Sequence, residues 1–516
     1  MATPDYVPVP EFYRNRCLFI TGGTGFMGKV LLEKLLRSCP DIKNVYLLMR
    51  PKKGQDVATR LAQLLNSPLF DTIRAEQPQS LGKVIPIYGD VTEPELGISP
   101  ADQKVLIDNV SVVFHSAATV KFDEALKLSV TINMLGTKQL VALCHRMMSL
   151  EALVHVSTAY CNCDREQVNE IIYPPPYDPE KIIQCMEWMD EELVNVITPH
   201  LIGKRPNTYT FTKALAEHML LKESGNLPVA IVRPSIVLSA YREPLLGWVD
   251  GWNGPTGVIA AAGKGIFRTM LCNGAMVADL VPVDIVINLL VCVAWHTATT
   301  RPDGIRVYNC TTGMQRPITW KDFVGNCFVY FHKHPLRDTL WYPDGTCSTN
   351  WLLNFVSETV MHTLPAYTMD SVSKMCGQKA YMVRTHEKLK KAAECLEYFS
   401  THQWQFSNTN VVALQERLCG DDRRQFSFDV RDIHWPSYIE NYVIGIRQFI
   451  FKDPPDTLCV ARKNLQWLYL LHRCTQVLGV LLAWRIVMLR SSTARNLWYS
   501  LFSMIMRIVR MVPTHI

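Results

Sequence analysis

The stretch RCLFITGGTGFMGKVLLEKLLRSC, residues 16–39, carries the strongest structural signal in the sequence. An apolar, β-prone run ends at a glycine turn, and a segment with the apolar spacing of a helix follows directly. Gly22, Gly25 and Gly28 lie at that junction, where glycine permits a tight turn and lets the backbone approach a pyrophosphate at the helix N-terminus. The stretch therefore predicts a dinucleotide-binding turn between the first strand and the first helix.

Further strand-like runs follow this turn at intervals, and helix-like stretches lie between several of them. The runs are rich in apolar and β-branched residues, which is typical of parallel strands buried on both faces. Alternation of such strands with helices indicates the α/β class. We therefore predict a doubly wound parallel sheet, whose further strands lie within NVYLLMR (44–50), KVIPIYGDV (83–91), VSVVFHSAATV (110–120), ALVHVSTAY (152–160) and VAIVRPSIV (229–237).

The end of the second predicted strand indicates which nicotinamide cofactor is preferred. It reads YLLMRPKKG and contains Arg50, Lys52 and Lys53 but no acid. An acid here would bind the free ribose hydroxyl of NAD, whereas a basic group suits the extra phosphate of NADP, and arginine can also stack on adenine. The sequence therefore favours NADPH. The alternative is a solvated basic loop without a ligand.

Two tyrosines each precede a lysine by four residues, Tyr209 with Lys213 and Tyr177 with Lys181. On one helix face this spacing brings an ammonium beside a phenol, and the positive charge lowers the phenol pKa from its usual value of about 10. Pro179 interrupts the second pair and excludes a continuous helix there. The segment around Tyr209 contains strong helix formers and no proline. We therefore assign the catalytic couple to Tyr209 and Lys213.

Ser157 and Thr158 follow a strand-like run, at the place where the ligand-facing residues of open α/β sheets lie. Either hydroxyl can polarise a carbonyl, and we favour Thr158 over Ser157; the alternative is that both satisfy a nearby loop. Cys161 and Cys163 form a C-x-C pair beside them, but no second cysteine pair or histidine cluster completes a metal site. We therefore predict no metal. The sequence contains no G-x-S-x-G motif, so serine hydrolase chemistry is unsupported.

The positive charge of the chain is concentrated at its C-terminal end. The 516 residues have a net charge of +6, but residues 456–516 alone carry +7, from eight lysines and arginines and one acid. These charges lie among Trp467, Trp484, Trp498 and many aliphatic residues, which favours an anionic membrane surface over nucleic acid. The alternative is a helical hairpin packed on the body of the protein. Charged residues interrupt the apolar run, so we predict a membrane-associated tail rather than a defined span.

Sixteen cysteines are scattered without paired spacing, and no secretory signal precedes them. We therefore expect reduced thiols and a catalytic domain that faces the cytosol.

A wider set of motifs resembles the alcohol-forming fatty acyl-CoA reductases, which are extended short-chain dehydrogenase/reductase proteins. The motifs are TGGTGFMGKVLLEKLLRSCP, YLLMRPKKGQ, VVFHSAATVKFDEALK, VHVSTAYCN, NTYTFTKALAE, REPLLGWVDGWNGPTGV and FSFDVRDIHWPSYIENYVIGIRQFIFKD. The resemblance extends to about residue 455. It implies a Rossmann catalytic domain with substrate-binding insertions over residues 1–364, a smaller helical domain over 365–455 and a hydrophobic, basic tail over 456–516.

This resemblance implies reduction of a long-chain fatty acyl-CoA to the primary alcohol through an aldehyde, with NADPH as cofactor and release of CoA. Tyr209 would donate the proton, Thr158 or Ser157 would hydrogen-bond the oxyanion, and Lys213 would keep the phenol acidic and hold the nicotinamide ribose. Asp90 would lie near the adenine ring. The implied cofactor contacts are Thr21, Gly22, Gly23, Thr24, Gly25, Phe26, Met27, Gly28, Arg50, Lys53, Asp90, Val91, Ala117, Ala118, Thr119, Tyr209, Lys213, Arg233, Pro234 and Ser235.

The implied partners are a long-chain acyl-CoA substrate and membrane lipid at the tail. The peroxisomal membrane is favoured, with the endoplasmic reticulum and the lipid droplet as alternatives. Two other interpretations stay open. One is an extended short-chain dehydrogenase that acts on another carbonyl, such as a steroid, a flavonoid or a sugar nucleotide, which leaves residues 365–455 unexplained. The other is a non-catalytic, NADP-binding membrane scaffold, against which the intact Tyr209 and Lys213 argue.

Overall fold

The structure is a computed structural model that describes residues 6–511 except residues 53 and 253. The described residues form the strands β1 (Cys17–Thr21), β2 (Asn44–Met49), β3 (Val84–Tyr88), β4 (Val110–His115), β5 (Ala152–Val156), β6 (Gln167–Val168), β7 (Val229–Pro234), β8 (Ile236–Leu238), β9 (Thr269–Leu271), β10 (Leu280–Pro282), β11 (Arg306–Cys310), β12 (Thr346–Ser348) and β13 (Gln405–Phe406). Seven of them form one sheet in the order β11-β7-β5-β4-β1-β2-β3, and its neighbouring strands are parallel.

Helices cover this sheet and make up the C-terminal part of the chain. The α-helices of the described residues are α1 (Val9–Tyr13), α2 (Phe26–Ser38), α3 (Val57–Leu65), α4 (Asp71–Glu76), α5 (Pro100–Asn109), α6 (Leu126–Val130), α7 (Gly136–Arg146), α8 (Pro179–Trp188), α9 (Glu191–Ile202), α10 (Thr208–Glu223), α11 (Pro255–Gly263), α12 (Val283–Thr300), α13 (Trp320–Lys333), α14 (Trp351–Glu358), α15 (Leu364–Met375), α16 (Met382–Thr401), α17 (Thr409–Arg417), α18 (Asp422–Gln425), α19 (Trp435–Gly445), α20 (Leu458–Arg490) and α21 (Ser492–Met511). Single π-helical turns at Thr131–Leu135, Thr359–Thr363 and Ile446–Ile450 join α6 to α7, join α14 to α15 and extend α19.

The strand order is that of a doubly wound, Rossmann-type sheet. β1 lies between β2 and β4, so the chain proceeds to one edge through β2 and β3 and returns to the other side of β1 at β4. Open α/β sheets bind ligands outside the carboxyl ends of their strands at such a reversal. Thr21 ends β1 and His115 ends β4, so the glycine turn lies at this point. The predicted α/β fold with a parallel Rossmann sheet is confirmed.

Both faces of the sheet are buried, as the apolar strand sequences predict. Leu18 and Ile20 of β1 belong to one hydrophobic cluster, whereas Cys17 and Phe19 belong to the cluster on the opposite face. This division follows from the alternation of side chains along a strand. α12 contributes heavily to the first cluster and is apolar enough to resemble a membrane span, but 83% of its apolar window is buried, so it is a core helix.

The C-terminal region is joined to the sheet domain by main-chain and side-chain hydrogen bonds. β13 pairs with β6 in parallel, two residues on each strand. Close by, Glu170 accepts the backbone N–H groups of Asn309 at 3.0 Å and of Asn410 at 2.6 Å. Apolar side chains between residues 411 and 446 belong to the same buried cluster as β1. The C-terminal region therefore shares its core with the sheet domain.

α14, the π-helical turn that follows it and α15 form one continuous helical segment over residues 351–375. This segment, which we call the α14–α15 helix, crosses the predicted domain boundary at residue 364. The division of the chain at residues 364 and 455 stays a prediction from the sequence.

The last two helices form a hairpin, in which the rings of Trp484 and Trp498 have centroids 5.6 Å apart. The buried residues of α20 end at His472, and the helix beyond it is exposed among the described residues. The segment Pro455–Arg490 is long and apolar enough to cross a membrane by length and composition, and only 6% of its apolar window is buried. The sequence left open a helical hairpin packed on the body of the protein. The hairpin is present, but its packing on the body ends at His472.

Candidate active site

The glycine turn has the geometry that a dinucleotide requires. Gly22 has a φ of +75°, and a Cβ there would lie 2.7 Å from the backbone of Ser116 and Ala117. A Cβ at Gly28 would lie 2.3 Å from the carbonyl oxygen of Gly22, so α2 packs against the turn only because this residue is glycine. Gly25 is the N-cap of α2, and among the described residues no side chain caps this helix end. The free backbone N–H groups of the first turn therefore fit a pyrophosphate.

Hydrogen bonds fix the loop that follows β4 beside this turn. Thr21 Oγ1 lies 2.7 Å from His115 Nδ1 and accepts the backbone N–H of Ala117 at 3.3 Å. Thr119 donates its backbone N–H to Asn133 Oδ1 at 3.0 Å. Burial, with a smaller effect from the charge of Lys213, lowers the pKa of His115 to about 3, so this ring is neutral. The Thr21 hydroxyl is thus engaged in positioning the loop.

Arg50 and Asp90 form an ion pair at 2.8 Å where the adenine end of the cofactor is expected. Burial raises the pKa of Asp90, but hydrogen bonds from Arg50 and Thr92 outweigh this effect and hold the pKa below its usual range. The carboxylate therefore orients the guanidinium, which is exposed to solvent. Lys53, the other predicted basic contact, lies outside the described residues.

The remaining predicted cofactor contacts lie at or after the carboxyl ends of sheet strands or at the start of α2. They are Gly23 and Thr24 in the turn, Phe26 and Met27 at the start of α2, Val91 after β3, Ala118 after β4, Pro234 at the end of β7 and Ser235 directly after it. The ring of Phe26 stacks on Trp248 at 5.3 Å, so the start of α2 is packed against a later loop of the chain.

α10 places Tyr209 and Lys213 at the carboxyl end of β5. Asn207 caps this helix, because its Oδ1 accepts the backbone N–H of Thr210 at 2.9 Å. Tyr209 lies in the first turn and Lys213 in the next. Lys213 is only 2% exposed, and its Nζ donates to the carbonyl oxygen of Val156, the last residue of β5, at 2.7 Å. This hydrogen bond directs the lysine at the strand end where the predicted hydroxyl residues follow.

Ser157 and Thr158 are both buried beside this couple. Thr158 Oγ1 accepts the backbone N–H of Tyr160 at 3.3 Å, and the Thr158 side chain hydrogen-bonds Tyr209. Ser157 Oγ has no hydrogen-bond partner among the described residues. The Ser157 side chain lies close enough to Cys161 to lower the pKa of that thiol, but sulfur is a weak hydrogen-bond acceptor, so Ser157 can bind a polar atom of a ligand instead.

The pKa values of the couple differ from the expectation based on spacing alone. Burial raises the pKa of Tyr209 above its ordinary range, and the hydrogen bond with Thr158 offsets only part of this rise. Burial lowers the pKa of Lys213 to about 8, while Glu217 raises it. Because the lysine ammonium is directed at the Val156 carbonyl, it does not bring the phenol near neutrality. Tyr209 is therefore protonated at neutral pH and suited to donate a proton.

Arg233 was predicted as a cofactor contact, and the structure corrects this assignment. Its side chain is fully buried and donates to both carboxylate oxygens of Glu217, at 2.8 and 2.6 Å. It also donates to the carbonyl oxygens of Asn169 and Ile171 at 3.0 and 2.7 Å. The ion pair with Arg233 neutralises the buried Glu217 carboxylate, which would be very unfavourable unpaired, and the two carbonyl oxygens satisfy the rest of the guanidinium. Arg233 is therefore a structural residue of α10 and β7.

The second tyrosine–lysine pair lies outside any shared helix. Asp178 is the N-cap of α8, so Tyr177 precedes the helix and Lys181 lies inside it. Tyr177 is 42% exposed, and Lys181 is also exposed. The prediction that this pair is not carried on one continuous helix is confirmed.

Asn133 is a site residue that the sequence reasoning missed. It lies in the π-helical turn between α6 and α7 and is buried. Its Oδ1 accepts the N–H of Thr119, and its Nδ2 donates to Thr212 Oγ1 at 2.9 Å. Asn133 thereby joins the loop after β4 to α10, one residue from Lys213. An asparagine within a helix-like stretch offered no local signal for this role.

Aromatic residues from the C-terminal region also reach the site. The ring of Phe122 lies 5.9 Å from that of Tyr209 and 5.3 Å from that of Phe399, near the end of α16. Phe399 in turn contacts Tyr160, which follows Thr158 by two residues. An apolar wall beside Tyr209 is thus built partly by α16. Phe122 and Phe399 are far apart in the sequence, so the sequence alone gave no sign that they are in contact.

Comparisons with known proteins identify the family of this chain. Two family models, both described as male sterility protein, match it: a NAD-binding model over residues 20–290 and a second model, Sterile, over residues 361–453. Fatty acyl-CoA reductase 1 of Xenopus laevis is 45% identical over 496 residues, which cover 96% of each chain. The chain belongs to the fatty acyl-CoA reductase family. It is therefore an oxidoreductase with a nicotinamide-dinucleotide-binding domain.

Other members of this family are similar over the same length. Human fatty acyl-CoA reductase 1 is 44% identical over 498 residues, covering 96% of this chain and 97% of its own. Mouse fatty acyl-CoA reductase 2 is 41% identical over 495 residues, covering 96% of both. Among solved structures, the reductase domain of a nonribosomal peptide synthetase from Mycobacterium tuberculosis has a TM-score of 0.58 at 19% identity, covering 86% of this chain and 93% of its own. That likeness shows the fold alone.

Proposed function

We propose that the protein reduces a long-chain fatty acyl-CoA to the primary alcohol with NADPH, through the aldehyde, and releases CoA. The observation that carries this proposal is the convergence of Tyr209, Lys213, Thr158 and Ser157 at the end of β5, two strands from the glycine turn. Membership of the fatty acyl-CoA reductase family supports the substrate class.

Bound NADPH supplies a hydride for each reduction, and the protein supplies orientation and protons. Tyr209 donates its phenol proton to the carbonyl oxygen as negative charge develops there, and its raised pKa keeps it protonated until then. Thr158, which hydrogen-bonds Tyr209 in the free site, turns its single O–H to the same oxygen when substrate binds, with Ser157 as the alternative donor. Lys213, held by the Val156 carbonyl, is placed to bind the nicotinamide ribose at the end of β5.

The proposed reaction balances in two steps. In the first, one hydride and one proton add across the thioester carbonyl, and the resulting hemithioacetal breaks its carbon–sulfur bond to yield the aldehyde and CoA thiol. In the second, another hydride and proton convert the aldehyde to the alcohol. Tyr209 must recover its proton between the steps, which solvent can supply because the tip of the glycine turn and the loop after β4 are partly exposed.

We assign the preference for NADPH over NADH to Arg50. Its exposed guanidinium is oriented by Asp90 at the end of β2, where the adenosine ribose of a dinucleotide lies in this fold. A planar guanidinium can bind a 2′-phosphate with two hydrogen bonds or stack on the adenine ring. Lys52 adds positive charge beside it. The segment directly after β2 contains no acid that would bind the ribose hydroxyl, and Asp90, which follows β3, is paired with Arg50.

We further propose that the basic, apolar tail attaches the protein to a membrane. The exposed apolar surface of α20 beyond His472 and of α21 supports this role, as do the arginines along both helices. Acyl-CoA and fatty alcohol both partition into bilayers, so attachment brings the catalytic domain to its substrate and product. The peroxisomal membrane is the favoured location, with the catalytic domain facing the cytosol.

Product analysis tests the reaction. The detergent-solubilised full chain is incubated with palmitoyl-CoA or a longer acyl-CoA and NADPH, and the lipid products are separated by gas chromatography. We expect primary alcohol, two molecules of NADPH consumed for each alcohol, and free CoA thiol. Tyr209→Phe serves as the inactive variant, because it retains the ring but lacks the proton.

Two outcomes would overturn the proposal. Aldehyde as the sole product, with one NADPH consumed, would restrict the protein to the first step. Absence of product across a range of chain lengths, with NADPH still bound, would leave the non-catalytic scaffold or another carbonyl substrate.

A further inference from the structure

The α14–α15 helix presents a second apolar surface to solvent, separate from the tail. Twelve of its 25 residues are large apolar side chains that are exposed: Trp351, Leu352, Leu353, Phe355, Val356, Val360, Met361, Leu364, Tyr367, Met369, Val372 and Met375. Soluble monomers rarely expose contiguous apolar patches larger than a few hundred Å². A helix with so many exposed apolar side chains therefore indicates a surface that another apolar phase covers.

The inner side of this helix is firmly attached, so its exposure is not a sign of a displaced element. His362 is buried, and its Nε2 accepts the backbone N–H of Arg268 at 2.7 Å. The ring of Phe267 stacks on His362 at 5.1 Å. Asp370 accepts the backbone N–H groups that begin α16, among them those of Met382 and Val383 at 2.8 and 3.0 Å. The remaining outer surface has no element of the described chain over it.

Charge on and beside the helix is distributed as an anionic lipid surface requires. The helix has two acids, and both are engaged inside: Asp370 caps α16, and Glu358 pairs with Lys390 at 2.8 Å. The segment of residues 371–391 contains six lysines and arginines and one acid. Five of these basic residues are exposed and unpaired among the described residues: Lys374, Lys379, Arg384, Lys388 and Lys391. An apolar face flanked by basic residues is typical of helices that lie in a membrane interface.

The start of the α14–α15 helix lies near the point where the tail leaves the body of the protein, which places both at the same membrane surface. The tail leaves the body of the protein at His472, which contacts the segment directly before β12. His472 Nδ1 accepts the indole N–H of Trp341 at 3.2 Å, and the ring of Tyr342 stacks on that of His472 at 5.6 Å. Only the short strand β12 separates this contact from the start of α14. The α14–α15 helix therefore begins close to the point where the tail becomes exposed.

We propose that the apolar face of the α14–α15 helix is a second membrane-contact surface, which lies in the interface of an anionic bilayer beside the tail. This inference rests on the proposed membrane attachment of the tail for the orientation of the protein, but not on the reaction. α14 and α16 enclose a cavity of about 140 Å³, lined by Phe355, Lys390 and Glu394 among others. From there α16 continues to Phe399, beside Phe122 and Tyr209.

α16 connects this surface with the candidate site. α16 is 20 residues long, which corresponds to about 30 Å at 1.5 Å per residue. Its first turn follows the membrane-contact surface, and its last turn contributes to the apolar wall beside Tyr209. α16 thus links the proposed membrane-contact surface to the apolar wall of the candidate site.

Photolabelling from within the bilayer tests the surface directly. The full chain is reconstituted into vesicles of phosphatidylcholine and phosphatidylserine that contain a phospholipid with a diazirine in its acyl chain. After irradiation, labelled peptides are identified by mass spectrometry. We expect label in residues 351–375 as well as in the tail, and none in α9 of the sheet domain.

Each outcome decides the matter. Label in the tail but not in residues 351–375 would overturn the inference and leave the tail proposal intact. Label in residues 351–375 without label in the tail would support the inference and overturn the proposed tail attachment. Cross-links between two copies of the chain through residues 351–375 would show that a second copy covers the face, and would also overturn the inference.

A matched pair of variants gives an independent readout. Val360→Glu places a charge on the proposed contact surface, whereas Val196→Glu places the same charge on α9 at a valine of similar exposure, 61% against 67%. We expect Val360→Glu to reduce labelling of residues 351–375 by about fivefold, since a carboxylate opposes insertion. Val196→Glu should leave it unchanged. Equal labelling in both variants would contradict the inference, whether or not the protein reduces acyl-CoA.

Discussion

The two tyrosine–lysine pairs of this chain share their spacing but not their surroundings. Tyr209 and Lys213 occupy consecutive turns of α10, and Lys213 is buried with its Nζ on the carbonyl that ends β5. Tyr177 lies before the start of α8 and is exposed together with Lys181. The first pair meets a strand end with two hydroxyls, whereas the second meets solvent. The four-residue spacing therefore identifies two candidate pairs. The burial of Lys213 at the end of β5 distinguishes the first pair as the candidate site.

Burial also changes the chemistry of the first pair. An exposed lysine near an exposed tyrosine is screened by water and has little effect on the phenol. In the buried pair, loss of hydration opposes charge on both groups, so the phenol stays protonated and the ammonium becomes easier to deprotonate. The comparison can be tested by making the same substitution in each pair.

The largest difference is expected for the tyrosines. Tyr209→Phe removes the proton donor and should lower kcat for alcohol formation by about 10³-fold, within the range for general acid catalysis. Tyr177→Phe should leave kcat unchanged. NADPH consumption and gas chromatography of the product measure both. Equal activity of the two variants would refute the assignment of the catalytic tyrosine.

The second largest difference in activity is expected between substitutions of the two lysines. Lys213→Met keeps an unbranched side chain but removes the charge, and we expect kcat/KM to fall by about 10²-fold, while Lys181→Met has no effect. Burial lowers the Lys213 pKa, so folding disfavours the charged form, and its removal should not destabilise the protein. The thermal midpoint of Lys213→Met is therefore expected to stay at or above that of wild type. A large fall in the midpoint would attribute the lost activity to unfolding instead.

The two hydroxyls at the end of β5 should differ by a smaller factor. Thr158→Val removes the donor that hydrogen-bonds Tyr209 but keeps the branched shape, and we expect kcat to fall by about 10²-fold, as for the loss of one oxyanion donor. Ser157→Ala should cost less, about tenfold, because Ser157 has no established link to Tyr209. Kinetics at saturating NADPH separate the two. The reverse order would make Ser157 the principal oxyanion donor.

The smallest effect concerns pH. Lys213 has a pKa of about 8, so its ammonium is present below this value and is lost above it. We expect kcat/KM to fall about fivefold from pH 8 to pH 9, while the Tyr209 phenol stays protonated because its pKa is raised. Lys213→Arg, which cannot be deprotonated, should flatten this fall, and Lys181→Arg should not. An unchanged profile in Lys213→Arg would assign the pH dependence to another group.

The sheet and the glycine turn could be predicted from the sequence because their signals are local. A β-prone run, a glycine turn and an amphipathic helix follow one another within 24 residues, and a Cβ at Gly22 or Gly28 has no room in the folded turn. The same holds for the proline that separates Tyr177 from Lys181. Such features depend on backbone geometry, which short segments express directly.

Long-range pairing escaped prediction. Arg233 resembles a cofactor contact in sequence, but its guanidinium neutralises Glu217 inside the protein. Asn133 joins the loop after β4 to α10 through one amide, and Phe399 reaches Phe122 from 277 positions along the chain. Each of these roles depends on which residues fold against one another. The residue types alone are compatible with several partners.

The sequence by itself determined the fold class, the dinucleotide turn, the helix start that separates Tyr177 from Lys181 and the basic, apolar character of the tail, since these follow from local conformation and composition. Only the tertiary structure decided that Lys213 is buried on a strand-end carbonyl, that α16 adds an apolar wall to the site, and that the α14–α15 helix turns its acids inward and its apolar residues outward. The physical reason is that burial and charge pairing depend on neighbours far apart in the chain, which packing alone brings together.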